Sequence, residues 1–214
     1  MSKVLVLGAN GQIARLAIAR LSAAGHELTL VARRAERLAD LAGEGISIDE
    51  GDAADPAFLS RVMPGQDVVY ANLAGRNIEA QAQAVTSAMK AAGVRRLIWI
   101  STLGIYDEVP GAFGAWNHEQ LDDGYLPTYA AAAAVVERSG LDYTIIRPAW
   151  LYDDDLVDYE LTQKGEPFRG TEVTRASVAA LVAELVNDPA QHIGESLGVN
   201  QPGTDGDKPL FMGA

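Results

Sequence analysis

Two apolar periods alternate along this chain, and their alternation predicts its architecture. Short, nearly continuous apolar runs read as buried strands at Lys3 to Leu7, Glu27 to Ala32, Ile46 to Ile48, Asp67 to Asn72, Arg96 to Ser101 and Tyr143 to Arg147. Helical spacing fills the intervals between them. Ile13, Leu16, Ala17 and Leu21 make an apolar stripe that stops at Gly25, a glycine suited to the left-handed turn past a helix end. Residues 35–42 read as a short helix and Pro56 to Val62 as another. An alanine-rich helix runs from about Ile78 to Ala92 and stops at Gly93, and later helices cover Tyr129 to Ser139 and Arg175 to Val186. Strand and helix alternating at crossover spacing predict an α/β fold: a Rossmann-like, doubly wound parallel sheet with helices on both faces. A single domain over residues 1–214 is expected.

Two regions break the pattern. Residues 103–128 mix Gly, Pro, Trp and acidic residues without periodicity, and they read as a long substrate-side loop with short helical pieces. The tail after Asn187 is rich in Gly and Pro, and poor order is expected after about residue 203. The alanine run Ala130 to Ala134 fits helix propensity.

Composition narrows the class further. Apolar residues make up 48% and charged residues 21% of the chain, as in an ordinary globular protein. With no cysteine, disulfides, thiolate chemistry and zinc–thiolate sites are excluded. The three histidines, His26, His118 and His192, are scattered without ligand spacing, so no metal is expected. A net charge of −12 argues against nucleic acid as a partner. No leader or membrane-length apolar window is visible, so a cytoplasmic protein without a membrane partner is expected.

The chemistry follows from the strand ends. In a doubly wound sheet, ligands lie beyond the carboxyl ends of the strands, where strand order reverses. The first strand runs into Gly8-Ala9-Asn10-Gly11-Gln12-Ile13-Ala14 and then a helix. Gly8 permits the tight turn, Gly11 allows a pyrophosphate to approach, and Ala14 is the third small residue of a dinucleotide fingerprint. The second strand ends in Arg33-Arg34 where an NAD site would place an acid, and the nearest acid, Glu36, comes too late. Arginine suits a phosphorylated ribose, which points to NADP(H), with NAD(H) as second choice. The alternative is a pair of solvated arginines opening a helix. Asp52, followed by Ala53, could accept from the adenine amino group or could cap a turn. Leu73, Ala74 and Gly75 would let backbone pass the ribose.

Taken in order, several segments resemble the atypical short-chain dehydrogenase/reductases, in the group near NmrA-like and biliverdin/flavin-reductase-like proteins. These are Gly8-x-x-Gly11-x-x-Ala14, the arginine pair, Gly51-Asp52, Ala74-Gly75, Ile100-Ser101-Thr102 and Asp142-Tyr143-Thr144-Ile145-Ile146-Arg147-Pro148-Ala149. The resemblance implies NADP lying across Gly8, Arg33, Asp52, Gly75, Ser101 and Pro148-Ala149, with Thr102 alongside. It implies no particular substrate. Active members pair a serine with Tyr-x-x-x-Lys; here Ser101 and Tyr129 are the candidate catalytic residues, but Ala133 stands at the lysine position. Without a neighbouring cation a phenol is a poor base at neutral pH, although it can still donate a proton. Reduction of a small molecule is thus favoured over alcohol oxidation. Tyr129 as a packed aromatic is the alternative at that position. Tyr106, Phe113, Trp116, Tyr125 and Trp150 would ring the pocket mouth and suit a flat acceptor such as a quinone, flavin or tetrapyrrole, or would form the loop's own core. Two other functions are weighed: a non-catalytic NADP(H) sensor with a protein partner, and, more weakly, a sugar-nucleotide epimerase or dehydratase. Monomer and dimer are both compatible with the sequence.

Overall fold

The computed structural model describes residues 1–121 and 123–213. β1 (Lys3–Leu7) sets the layers through its alternation. Val4 and Val6 point to one face and Leu5 and Leu7 to the other, and all are fully buried, so the strand needs cover on both sides. α1 (Gln12–Ala23) and α6 (Arg175–Asn187) pack together over the first face. α2 (Pro56–Val62), α3 (Ile78–Ala92) and α5 (Tyr125–Glu137) cover the second, where α3 and α5 meet through alanine-rich surfaces.

The remaining strands of the parallel sheet are β2 (Glu27–Ala32), β3 (Ile46–Glu50), β4 (Val68–Ala71), β5 (Arg96–Ile100), β6 (Asp142–Pro148) and β10 (Glu195–Asn200). Strand order is β3-β2-β1-β4-β5-β6-β10, closed at one edge by β8 (Glu160–Gln163), which runs antiparallel to β10. The order reverses between β1 and β4, so the crevice expected for a ligand opens there. A separate two-stranded ladder joins β7 (Trp150–Tyr152) to β9 (Glu172–Thr174). This is the doubly wound sheet that the strand pattern predicts. No helix among the described residues is long and apolar enough to cross a membrane.

Residues 103–128 differ from the expected long loop. They hold a helix, α4 (Gly111–Leu121), and the first turn of α5, which begins at Tyr125 rather than Tyr129. α4 buries Phe113, Gly114 and Asn117, a mixture of sizes and polarities that leaves no apolar stripe to read. Gly114 is required there, since a Cβ would stand 2.0 Å from the Val109 carbonyl oxygen. Pro127 falls in the first turn of α5, where its missing N–H costs nothing. The tail is also more structured than expected. The Thr171 hydroxyl donates to the Thr204 carbonyl at 2.7 Å, and the Phe211 N–H donates to Glu172 Oε2 at 3.2 Å. These bonds satisfy polar groups on β9 and its approach, which ties the tail down through Phe211.

Candidate functional site

A cleft of about 540 Å³ opens over the carboxyl ends of β1, β2, β3 and β4. Its floor is the turn after β1. Gly8 has φ +77°, and a Cβ there would lie 2.2 Å from the Asn72 carbonyl oxygen. Only glycine fits both demands. At Gly11 a Cβ would lie 2.0 Å from Asn72 Nδ2, so the space above Gly11 is shared with the Asn72 carboxamide rather than left wholly for a ligand. Gly11 is also the cap of α1, with no side-chain hydrogen bond and no acid in the first turn. The backbone donors and the positive end of the helix dipole therefore face the cleft uncompensated, as an anion site requires. Asn10 is held in place because Arg15 Nε donates to its Oδ1 at 3.3 Å. Arg15 in turn reaches Asp40 at 2.7 Å and the Arg37 carbonyl. That arginine keeps the Asp40 carboxyl below its usual range.

The second wall is basic. Arg33, Arg34 and Arg37 line the cleft, and among the described residues no carboxylate lies within salt-bridge distance of any of them. Arg37 escaped the sequence reading. Arg34 caps a 3-10 turn over Ala35–Leu41, and its carbonyl accepts from the Arg37 N–H at 3.2 Å. In such a turn residues three apart eclipse, so the spacing from Arg34 to Arg37 was the available signal. Three cations without carboxylate partners among the described residues, in a chain of net charge −12, form a local exception. Asp52 is the acid on this lining; its Oδ1 accepts from the Ala54 N–H at 2.9 Å, so it holds a turn as well as facing the cleft. Ala53 lies beside it. Leu73 and Ala74 complete the lining, and Gln81, also missed, donates to the Ala74 carbonyl at 3.3 Å and to Asn77 Oδ1 at 2.7 Å. That clamp fixes the segment after β4.

Gln12, Ile13 and Gly75 flank this cleft without lining it, and the β5–β6 residues form a second group. Ser101 N–H donates to the Ile146 carbonyl at 2.7 Å and Leu103 N–H to the Pro148 carbonyl at 3.2 Å, which joins the two strand ends. Ala149 N–H reaches the Val199 carbonyl at 2.9 Å. Ser101 and Thr102 are buried, and Ser101 Oγ has no partner among the described residues. A buried hydroxyl without a partner costs about 1–3 kcal/mol, which a ligand atom could recover. Tyr129 is buried and stacks on Tyr125, with ring centroids 4.2 Å apart. Ala133 is fully buried in the α3–α5 seam.

The expected single ring of aromatics divides into three groups. Phe113, Trp116 and Trp150 form one cluster, Phe113 stacked on Trp116 with centroids 6.0 Å apart and Trp150 tilted against Trp116 at 4.7 Å, and Trp150 Nε1–H donates to Asn117 Oδ1 at 2.9 Å. Tyr125 and Tyr129 form the second. Tyr106 stands apart: its hydroxyl donates to Glu137 at 2.7 Å, and its ring faces the fully buried Arg147, which pairs with Glu108. Tyr106 is pulled aside because polar partners for its hydroxyl lie there. No group of three or more His, Asp or Glu that could hold a metal gathers among the described residues.

Known proteins share this fold. A Rossmann-fold NAD(P)-binding family protein from Shigella flexneri is 45% identical, each chain covering 98% of the other, with a TM-score of 0.84. A short-chain dehydrogenase/reductase of wide type from Veillonella parvula, solved in complex with NADP, is 28% identical over 97% of this chain and 98% of that one, with a TM-score of 0.88. A (4-alkanoyl-5-oxo-2,5-dihydrofuran-3-yl)methyl phosphate reductase of Streptomyces griseus subsp. griseus is 32% identical over 145 residues, which is 68% of this chain and 46% of that protein. The chain thus spans about half the length of the first curated relatives it matches. The model of the NAD(P)H-binding family matches residues 8–189, from the first glycine of the turn to the end of the last helix. The chain belongs to that NAD(P)H-binding family, on a Rossmann fold.

Proposed function

We propose that the protein is an NADPH-dependent reductase of a small or flat aromatic acceptor, a quinone, flavin or carbonyl compound. The observation that carries this reading is the basic wall. Arg33 and Arg34, with Arg37, stand without carboxylate partners where a site for unphosphorylated ribose would present an acid. Gly8, Asn10, Gly11, Gln12 and Ile13 would hold the pyrophosphate at the start of α1, and the arginines the 2′-phosphate. Asp52 and Ala53 would take the adenine side, Leu73, Ala74 and Gly75 the ribose. Ser101, Thr102, Pro148 and Ala149 would flank the nicotinamide. When bound, the cofactor supplies hydride. The chain supplies orientation, exclusion of water and, from the hydroxyls around Ser101 and Tyr129, a proton. The Streptomyces relative that is itself a reductase supports this reaction class.

The test is oxidation of NADPH by the purified chain against a panel of quinone, flavin and carbonyl acceptors. Saturable turnover above buffer supports the reading. Tight NADPH binding with no turnover rejects it. That second result would favour a non-catalytic NADP(H) sensor acting through a protein partner, a reading that the buried Ala133 supports.

A further inference from the structure

Arg15, on α1, does not line the cleft, yet its guanidinium joins the cleft floor to the basic wall. On the floor, Nε and Nη2 donate to Asn10 Oδ1 at 3.3 and 3.1 Å. On the wall, Nη2 also donates to the Arg37 carbonyl, within the 3-10 turn over Ala35–Leu41. Nη1 and Nη2 meet the two carboxylate oxygens of Asp40 at 2.7 and 3.3 Å, so both oxygens of that acid are engaged. Asp40 follows Arg37 by three residues, as Arg37 follows Arg34. Such positions eclipse in a 3-10 turn, which puts Asp40 on the edge that carries the two arginines. Two other acids beside the wall are engaged as well. Glu50 Oε2 accepts from the Ala35 N–H at 3.0 Å, and Asp52 Oδ1 from the Ala54 N–H at 2.9 Å.

Resting on the NADP(H) reading, we infer that Arg15 is a positioning residue for cofactor selectivity: it captures Asp40 and so keeps Arg37 available to a 2′-phosphate. A carboxylate and a phosphate compete for the same guanidinium fork, since each offers it two acceptor oxygens. An acid released at this edge would turn onto Arg37, three residues away, and an arriving phosphate would have to displace it. Arginine suits the capture because its fork carries five donors, enough to hold the Asp40 carboxylate, the Arg37 carbonyl and Asn10 at once. The bond to the Arg37 carbonyl also fixes the wall relative to the glycine turn. The Arg15 and Asp40 side chains are 31% and 66% exposed, so the pair arranges charge more than it stabilises the fold.

The experiment titrates the full chain with NADPH and with NADH at one ionic strength, in the wild type, Arg15→Gln, Asp40→Asn and the double variant. Its readout is the ratio of the two dissociation constants, in which any loss common to both cofactors through Asn10 cancels. Arg15→Gln is expected to lower the preference for NADPH about fivefold. Asp40→Asn alone is expected to keep or raise that preference. Added to Arg15→Gln, it should restore the ratio to within about twofold of the wild type. A pair that merely braced the fold would instead give similar losses from either single substitution and no recovery in the double variant. That pattern, or an unchanged ratio in Arg15→Gln, overturns the assignment. Thermal melting checks that each variant folds, and a fall in preference in a folded Asp40→Asn overturns the assignment without recourse to Arg15→Gln. Failure of the NADP(H) reading is distinguishable, because it shows as equal affinity for the two cofactors in the wild type, and it overturns both.

Discussion

The two halves of the strand edge are built on different principles. Over β1 to β4 the cleft is made of backbone, glycine and cations that have no carboxylate partner among the described residues. Over β5 and β6 it is made of side chains tied to one another across long stretches of sequence. Arg147 on β6 is fully buried, paired with Glu108, and bonded through Nε to Ser196 Oγ at 3.1 Å. Glu108 also accepts from the Gly104 N–H at 3.0 Å and the Tyr106 N–H at 2.9 Å. One carboxylate thus fixes the whole turn after β5. The first half is defined by local backbone and charge; the second depends on tertiary ties for its shape.

That contrast is most sharply tested by cutting the central tie. Glu108→Ala leaves a buried guanidinium unpaired and frees two backbone donors, so unfolding free energy should fall by about 3–5 kcal/mol. Urea denaturation measures it. A loss within the error of a surface substitution would show that the β5–β6 half does not rely on this pair.

A second substitution asks whether the missing lysine can be restored. Ala133→Lys places a long charged chain into the fully buried α3–α5 seam, among apolar side chains. It should destabilise by about 2–4 kcal/mol and gain no turnover. Raised activity in a stable variant would mean that the seam opens toward the substrate end.

The smallest effect lies at the opposite, amino-terminal edge of the sheet. Arg95 Nη2 donates to Asp142 at 2.8 Å and holds the Asp142 carboxyl below its usual range. A carboxyl with a lowered folded pKa adds stability above its unfolded pKa, and that stability is lost as pH falls through the folded value. Asp142→Asn should therefore cost at most about 1 kcal/mol near pH 7, because the pair is partly exposed. The gap between wild type and variant should close as pH drops below about 4. Denaturation midpoints across that range check the direction.

The same contrast explains what the sequence made legible. β1 to β6, α1, α3 and α6 could be read because each carries its own signal, a buried apolar run or a stripe ended by glycine. The glycine turn after β1 and the arginine pair were readable for the same reason, since local backbone and local charge define them. α4 was not, because its buried Asn117 and Gly114 answer to Trp150 and Val109, partners that no local pattern reveals. β10 was missed at Glu195–Asn200 because Gly198 interrupts it. A Cβ there would stand 2.7 Å from the Phe168 ring, so this glycine marks close packing inside a strand rather than a turn. Gln81 was missed as a site residue because its part is to brace the cleft, while Asn72 was legible as a strand end at the site.

On the proposed reading, the basic wall of Arg33, Arg34 and Arg37 selects the phosphorylated cofactor. Its most direct test is titration of the wild type and of an Arg33→Ala/Arg34→Ala variant with NADPH and with NADH. The wild type should bind NADPH at least about tenfold more tightly, a difference of about 1.4 kcal/mol, and the double variant should lose that preference while keeping its affinity for NADH. Equal affinity for both cofactors in the wild type, or an undiminished preference in the variant, would contradict it.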